Sequence, residues 1–210
     1  MNRVAEFKKV SFEQWSKEVA MVYCERYEIL CKEEKAALEN VYEEKTARVI
    51  IEDFANKKEA SIVQYLKGYG EHFRYNWENL IIPKRATKGS AGHDISAPYF
   101  INIMPGETKR IPTGLRCKMD ENYVMHIYPR SSMAIKHKML ISNTIPVVDS
   151  DYYYADNEGH IILYIENRGD EWLHIKEFNT FAQAVFVPFG VADTEEVKGI
   201  RTGGFGSTGR

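Results

Sequence analysis

At 210 residues the chain is long enough to bury a full core, and it has room for one domain with a large appendage or for two small ones. Its 28 Lys and Arg against 30 Asp and Glu give a formal net charge of -2, which excludes a global field that would favour nucleic acid or an anionic membrane. No long apolar run follows Met1-Asn2-Arg3-Val4 and no later segment has the length to span a bilayer, so the expectation is a cytoplasmic protein without signal peptide or membrane helix.

Residues 4–10 read as a short strand. Ser11-Phe12-Glu13-Gln14 then opens like a capping box, with the Gln at the reach-back position. No Gly appears before Gly68 and no Pro before Pro83. Apolar residues recur at helical spacing, first as Phe12, Trp15, Val19, Val22 and Leu30, then as Leu38, Tyr42, Val49, Ile50 and Phe54, and last as Ile62, Tyr65, Leu66 and Tyr69. Two or three amphipathic helices fit this pattern over residues 11–77. Glu25-Arg26-Tyr27-Glu28 has the Glu-x-x-Glu spacing of the metal carboxylates in helical nucleotide pyrophosphohydrolases. No Glu-x-x-Asp pair accompanies it in these helices, so a solvated charged face accounts for those glutamates, and His72 reads as a surface or packing residue. The cysteines Cys24, Cys31 and Cys117 are odd in number and lack metal-ligand spacing, which points to buried thiols.

Texture changes after Trp77. Pro83-Lys84-Arg85-Ala86-Thr87-Lys88-Gly89-Ser90-Ala91-Gly92 is rich in breakers and small residues, and short β-like runs follow, separated by turn signals. The runs are 99–103, leading into Pro105-Gly106, then 115–119, which alternates cleanly, 123–128, 160–165, 173–175 and 182–189. Many short strands without an intervening helical pattern predict an antiparallel sandwich or closed barrel. The α part gives way to the β part near residues 77–82.

Five places in the β part set polar or charged residues where a strand ends: Ala91-Gly92-His93-Asp94, Pro129-Arg130-Ser131-Ser132, the stretch 143–152, Phe181-Ala182-Gln183, and the tail 201–210. In Asn143-Thr144-Ile145-Pro146-Val147-Val148-Asp149-Ser150-Asp151-Tyr152 two carboxylates stand one residue apart after an apolar run. If the run is a strand, Asp149 and Asp151 share one face and Ser150 and Tyr152 the other. The tail Arg201-Thr202-Gly203-Gly204-Phe205-Gly206-Ser207-Thr208-Gly209-Arg210 offers backbone N–H groups freed by glycine, hydroxyls and guanidinium groups to an anion, and an aromatic ring that can stack on a base. It lacks the Gly-Lys-Ser/Thr ending of a P-loop.

Together these five strings, in this order, resemble the trimeric-type dUTPases over residues 83–210, with 4–10 matching the family's first strand. The resemblance implies a mainly β, distorted jelly-roll or β-barrel fold with an α-helical insertion near the N-terminus. It divides the chain into a first strand (1–10), a helical insertion (11–77), the barrel (78–200) and a flexible Gly-rich tail (201–210). It implies a homotrimer with shared active sites and a dUTP diphosphatase that splits dUTP into dUMP and pyrophosphate with Mg2+ held by the triphosphate. Asp149 matches the carboxylate that directs water onto the α-phosphorus, a task suited to general-base help and alignment. Arg130 holds a carboxylate or meets phosphate, Ser131, Ser132 and Gln183 are donors to the phosphates, and Asp94 is an acid near the metal's water shell. Asn143 matches the residue that helps a β-hairpin read uracil, and Tyr152 the ring beneath the deoxyribose. Phe205 closes over the base, Gly206, Ser207 and Thr208 belong to the tail that meets the γ-phosphate, and Arg201 is its basic residue.

The chain departs from the family pattern in several places. His93 stands where an aromatic or apolar residue is usual and is read as packing. Pro146 replaces a common glycine in the uracil-reading hairpin, Thr180 a frequent arginine, and Arg201 lies one residue closer to the glycines. The loop 153–159 is longer than the family's short turn. The helical stretch 11–77 is either a self-contained insertion packed on its own barrel, or a docking site for a protein partner or an extra inter-subunit contact. The rival enzyme of the same fold is a dCTP deaminase, which needs a glutamate at the base where this chain reads Val-Val-Asp-Ser-Asp-Tyr. The rival of another class is a nucleotide-controlled regulatory protein acting through the insertion.

Overall fold

The computed structural model describes residues 3–19, 22 and 74–193. The chain divides into two compact units, Ser16–Tyr75 on its own, and Met1–Trp15 together with Asn76–Arg210. Among its described residues the second carries twelve strands: β1 (Ala5–Lys9), β2 (Lys84–Arg85), β3 (His93–Ser96), β4 (Ile101–Ile103), β5 (Thr108–Pro112), β6 (Leu115–Met119), β7 (Tyr123–Pro129), β8 (Met139–Ile141), β9 (Val147–Val148), β10 (Ile162–Asn167), β11 (Leu173–Ile175) and β12 (Thr180–Pro188). Every pairing is antiparallel, in four sheets ordered β1-β6, β5-β10-β8, β11-β4 and β2-β3-β12-β7-β9. A mainly β, jelly-roll-like architecture is the result.

Alternation builds the core. In β6, Leu115, Cys117 and Met119 are buried while Arg116 and Lys118 are not, and β10 buries Leu163, Ile165 and Asn167 between more open neighbours. Ile95, Ile101, Ile103, Ile111, Met125, Ile127, Met139 and Phe181 complete a largely aliphatic interior. Cys117 is a buried free thiol, and burial pushes its pKa up to about 12. Cys24 and Cys31 lie outside the described residues, as do the apolar stripes and charged faces read over 23–73.

Residues 12–19 and 74–78 are helical, and Trp15, Val19 and Val22 of the expected stripe are buried. The capping box forms by half. Gln14 N–H donates to Ser11 Oγ at 3.1 Å, but the reach-back bond to Ser11 N–H comes from Glu158 Oε2 at 2.8 Å. Where the β unit breaks for residues 16–75, its two ends are pinned together. Lys9 Nζ donates to the carbonyls of Trp77 and Glu78 at 3.0 and 2.8 Å, and Trp77 Nε1–H to that of Val10 at 3.0 Å. Trp15 is fully buried and donates through Nε1–H to Pro112 O at 3.3 Å. Trp15 and Leu80 close over Gly114, whose φ of 75° and lack of a side chain make the space.

Three expectations are corrected. The stretch after Pro146 is not a strand as far as Tyr152: β9 ends at Val148, and Ser150–Tyr154 is a 3₁₀ helix with Asp149 as its extended N-cap. Strand alternation of Asp149 and Asp151 is therefore replaced by a tight turn. Ser131–His137 is an α-helix that periodicity gave no sign of, because none of its residues is buried. The presumed uracil-reading hairpin is not a paired hairpin among the described strands: β8 pairs with β10 and β9 with β7, so residues 142–146 cross from one sheet to another. Among the described residues no helix is long and apolar enough to cross a membrane.

Candidate active site

The five-stranded sheet brings three of the strings together. Lys84 pairs with Asp94, Asp94 with Gln183, and Gln183 with Tyr128, so one rung across β2, β3, β12 and β7 sends these four side chains to the same face. The next rung, Arg85, His93, Ala184 and Ile127, faces inward, where Ala184 and Ile127 are fully buried. There His93 packs its ring against Phe7 and Phe186 at 5.8 and 5.3 Å, and burial holds its pKa below the usual range, so it is a neutral packing group.

Just past the end of β7, Arg130 turns back toward that rung, and its guanidinium reaches Asp94 Oδ2 at 3.3 Å with both side chains partly exposed. Arg130 N–H donates to Phe181 O at 3.0 Å, which ties the start of the helix to the start of β12. Ser131 and Ser132, in the first helical turn, are exposed. Gln183 donates through Nε2 to Pro129 O at 3.4 Å. Asp94, Arg130, Ser131, Ser132 and Gln183 thus form one polar patch. In it, Arg130 serves a carboxylate while leaving its planar fork open to a second anion.

Asp149 belongs elsewhere. β9 pairs Val148 with Met125 and Val147 with His126, so continuing the register sets exposed Asp149 beside Val124. From Val124 to Arg130 is six residues of extended chain, roughly 20 Å. Within one chain the two groups stand at opposite ends of β7.

The loop that carries Asp149 is tied down by partners that motif reading missed. Tyr152 is 2% exposed; its Oη–H donates to His160 O at 2.7 Å and its oxygen accepts from Asn157 Nδ2 at 2.8 Å. Its hydroxyl is thus engaged and only the ring remains for other contacts. Arg116 donates to Tyr153 O at 2.7 Å and lies 3.9 Å from that ring's centroid. Glu158 accepts from Ser11 N–H and Oγ–H at 2.8 and 2.6 Å and stands 3.8 Å from Arg116. His160 is fully buried; its Nε2 accepts from Gly114 N–H at 2.8 Å, which puts the proton on Nδ1, and burial depresses its pKa to about 3. The loop 153–159 supplies Tyr153, Asn157 and Glu158 to these anchors. Asn143 is exposed in the 142–146 crossing, where Thr144 takes a φ of 65°. Arg201, Phe205, Gly206, Ser207 and Thr208 lie outside the described residues.

The sequence and fold have known relatives. The dUTPase family model matches residues 78–210. A deoxyuridine 5'-triphosphate nucleotidohydrolase of Lactococcus lactis is 43% identical over 147 residues, covering 69% of this chain and 98% of that one. One of Methylobacillus flagellatus is 37% identical over 138 residues, covering 62% and 89%. The crystal structure of dUTPase from Streptococcus mutans superposes with a TM-score of 0.51 at 34% identity, over 55% of this chain and 91% of that chain. What the polar patch and the Asp149 loop lead one to expect, the whole β unit bears out: the chain belongs to the dUTPase family.

Proposed function

We propose that this dUTP diphosphatase hydrolyses dUTP to dUMP and pyrophosphate at sites shared between copies of the chain, with Asp149 of one copy facing the Asp94–Arg130–Gln183 patch of another. The observation that carries the reading is the roughly 20 Å between Asp149 and Arg130 along β7. A carboxylate that aligns water and a patch that grips phosphate must meet within a few ångströms of one substrate, and a cyclic assembly brings the far end of one subunit against the near end of the next. Ile145 and Val147, 39% and 52% exposed, flank the approach to Asp149 and give a second copy apolar surface to cover.

In this reading Arg130, Ser131, Ser132 and Gln183 hold the phosphate chain, and Asp149 orients the attacking water and takes its proton as the bond from the α-phosphorus to the bridging oxygen breaks. Asn143 meets the uracil edge from the 142–146 crossing. The Tyr152 ring, buried and fixed through its hydroxyl, backs the wall beside the deoxyribose that leaves no room for a 2′-hydroxyl. The tail residues Arg201, Phe205, Gly206, Ser207 and Thr208 close over base and γ-phosphate. Among the described residues no group of three or more His, Cys, Asp or Glu stands together. That suits Mg2+, which keeps several waters and is held mainly by substrate phosphates, with Asp94 at the edge of its water shell. Mg2+ bound there would supply positive charge to offset that of the phosphates.

The test is pyrophosphate release from dUTP and the four standard deoxynucleoside triphosphates with magnesium titrated in. Release from dUTP alone, rising with magnesium, is expected. Equal turnover of dCTP or dTTP, or ammonia from dCTP, would contradict it.

A further inference from the structure

We propose that Gly92 is a positioning residue that sets where the Gln183 amide rests, a role that builds on the assignment of Gln183 to the phosphate chain. A methyl group added to Gly92 would overlap the Gln183 amide oxygen and crowd its Cδ and Cβ at 3.1 and 3.3 Å. The three atoms nearest to that methyl all belong to Gln183. The φ of Gly92 lies outside the left-handed region, so no backbone requirement explains a glycine here.

Along the rung the amide has a neighbour on each side, while Gln183 itself stays half-buried. Gln183 sits between β3 and β7, its neighbours along the rung are Asp94 and Tyr128, and its nitrogen donates to Pro129 O at 3.4 Å. The side chain therefore lies flat on the bare Cα of Gly92, with its nitrogen turned toward the start of the Arg130 segment. Two residues separate Gly92 from Asp94, so a single stretch supplies both the acid that pairs with Arg130 and the floor beneath the amide. An alanine at 92 leaves the backbone at ease but lifts the far end of Gln183 away from the phosphate side.

Steady-state dUTP hydrolysis by the full chain, Gly92→Ala, Gln183→Ala and the double variant tests this, together with the side-chain amide NMR signal of Gln183, assigned by its loss in Gln183→Ala. Gly92→Ala is expected to melt as the native chain does, to raise KM about tenfold, the loss of a hydrogen bond to a charged group, with a smaller change in kcat, and to move the Gln183 signal. The double variant should match Gln183→Ala within about twofold, because the overlapping amide is then gone and only the Cβ contact at 3.3 Å remains. An unchanged KM in Gly92→Ala, or losses that multiply in the double variant, overturns the proposal. If Gly92→Ala alone fails to fold, a folded double variant supports the steric coupling and an unfolded one overturns it. The amide signal is read without turnover: a signal that stays put refutes the role of Gly92 in any case. A signal that moves in a chain inert toward dUTP sinks only the assignment of Gln183 to phosphate.

Discussion

Asp149 occupies a specific local setting, the extended N-cap of a short 3₁₀ helix whose next turn is locked by the buried Tyr152. The carboxylate is exposed while the ring three residues on is bonded through its hydroxyl to His160 O and Asn157, so the acid is carried on a fixed frame. Asp149→Asn keeps the shape and removes the proton acceptor. It should lower kcat by about 10²–10⁴ while dUTP affinity, measured by calorimetry, stays within a few-fold. Preserved turnover would remove Asp149 from its assigned role. His160 gives a second prediction at this scale. Its pKa is near 3 when folded and about 6.5 when free, so the unfolded chain binds the extra proton between those values. The stability it protects is complete above pH 6.5 and falls with pH below that, by up to about 1.4 kcal/mol per pH unit. Urea unfolding at pH 7.5, 6 and 5 should show this slope, and His160→Gln should flatten it. The family was legible because its motif strings set particular functional groups at fixed spacing from one another. His160, Glu158 and Gly92 were not, because what they touch is far along the chain: 46 residues for His160 to Gly114 and 147 for Glu158 to Ser11.

Strands with one buried face announce themselves by alternation, and β6 and β11 fall where the pattern placed them, at Leu115–Met119 and Leu173–Ile175. The Ser131–His137 helix has no buried residue and hence no stripe to read. β9 is two residues long, below what alternation can resolve, and its continuation as a strand was an inference from composition that the 3₁₀ turn overrides. The insertion teaches the same lesson from the other side. A change of texture near residues 77–82 hinted at it, but the device that makes it tolerable, Lys9 and Val10 bonded to Trp77 and Glu78, is a contact across nearly seventy positions. Because the ends already touch, closing them with a short loop costs little entropy. Replacing residues 16–75 by a few glycines and serines should therefore leave a folded β unit with unchanged oligomer size by light scattering and dUTP turnover within a few-fold. Loss of either would assign the insertion a part in assembly or catalysis.

At the scale of the whole molecule, β7 is the strand that holds Asp149 and Arg130 at opposite ends of one copy. The proposed site between copies rests on that distance and on the need of water and phosphate to meet. Mixing two inactive variants tests it most directly. Arg130→Ala removes the phosphate grip and Asp149→Asn the acid; each homomer is expected to be silent. Unfolded together in equal amounts and refolded, they should regain about a quarter of native turnover, because a quarter of randomly assembled shared sites receive an intact Arg130 from one copy and an intact Asp149 from another. A mixture as silent as its parents would place both residues of each site in a single chain and contradict the account.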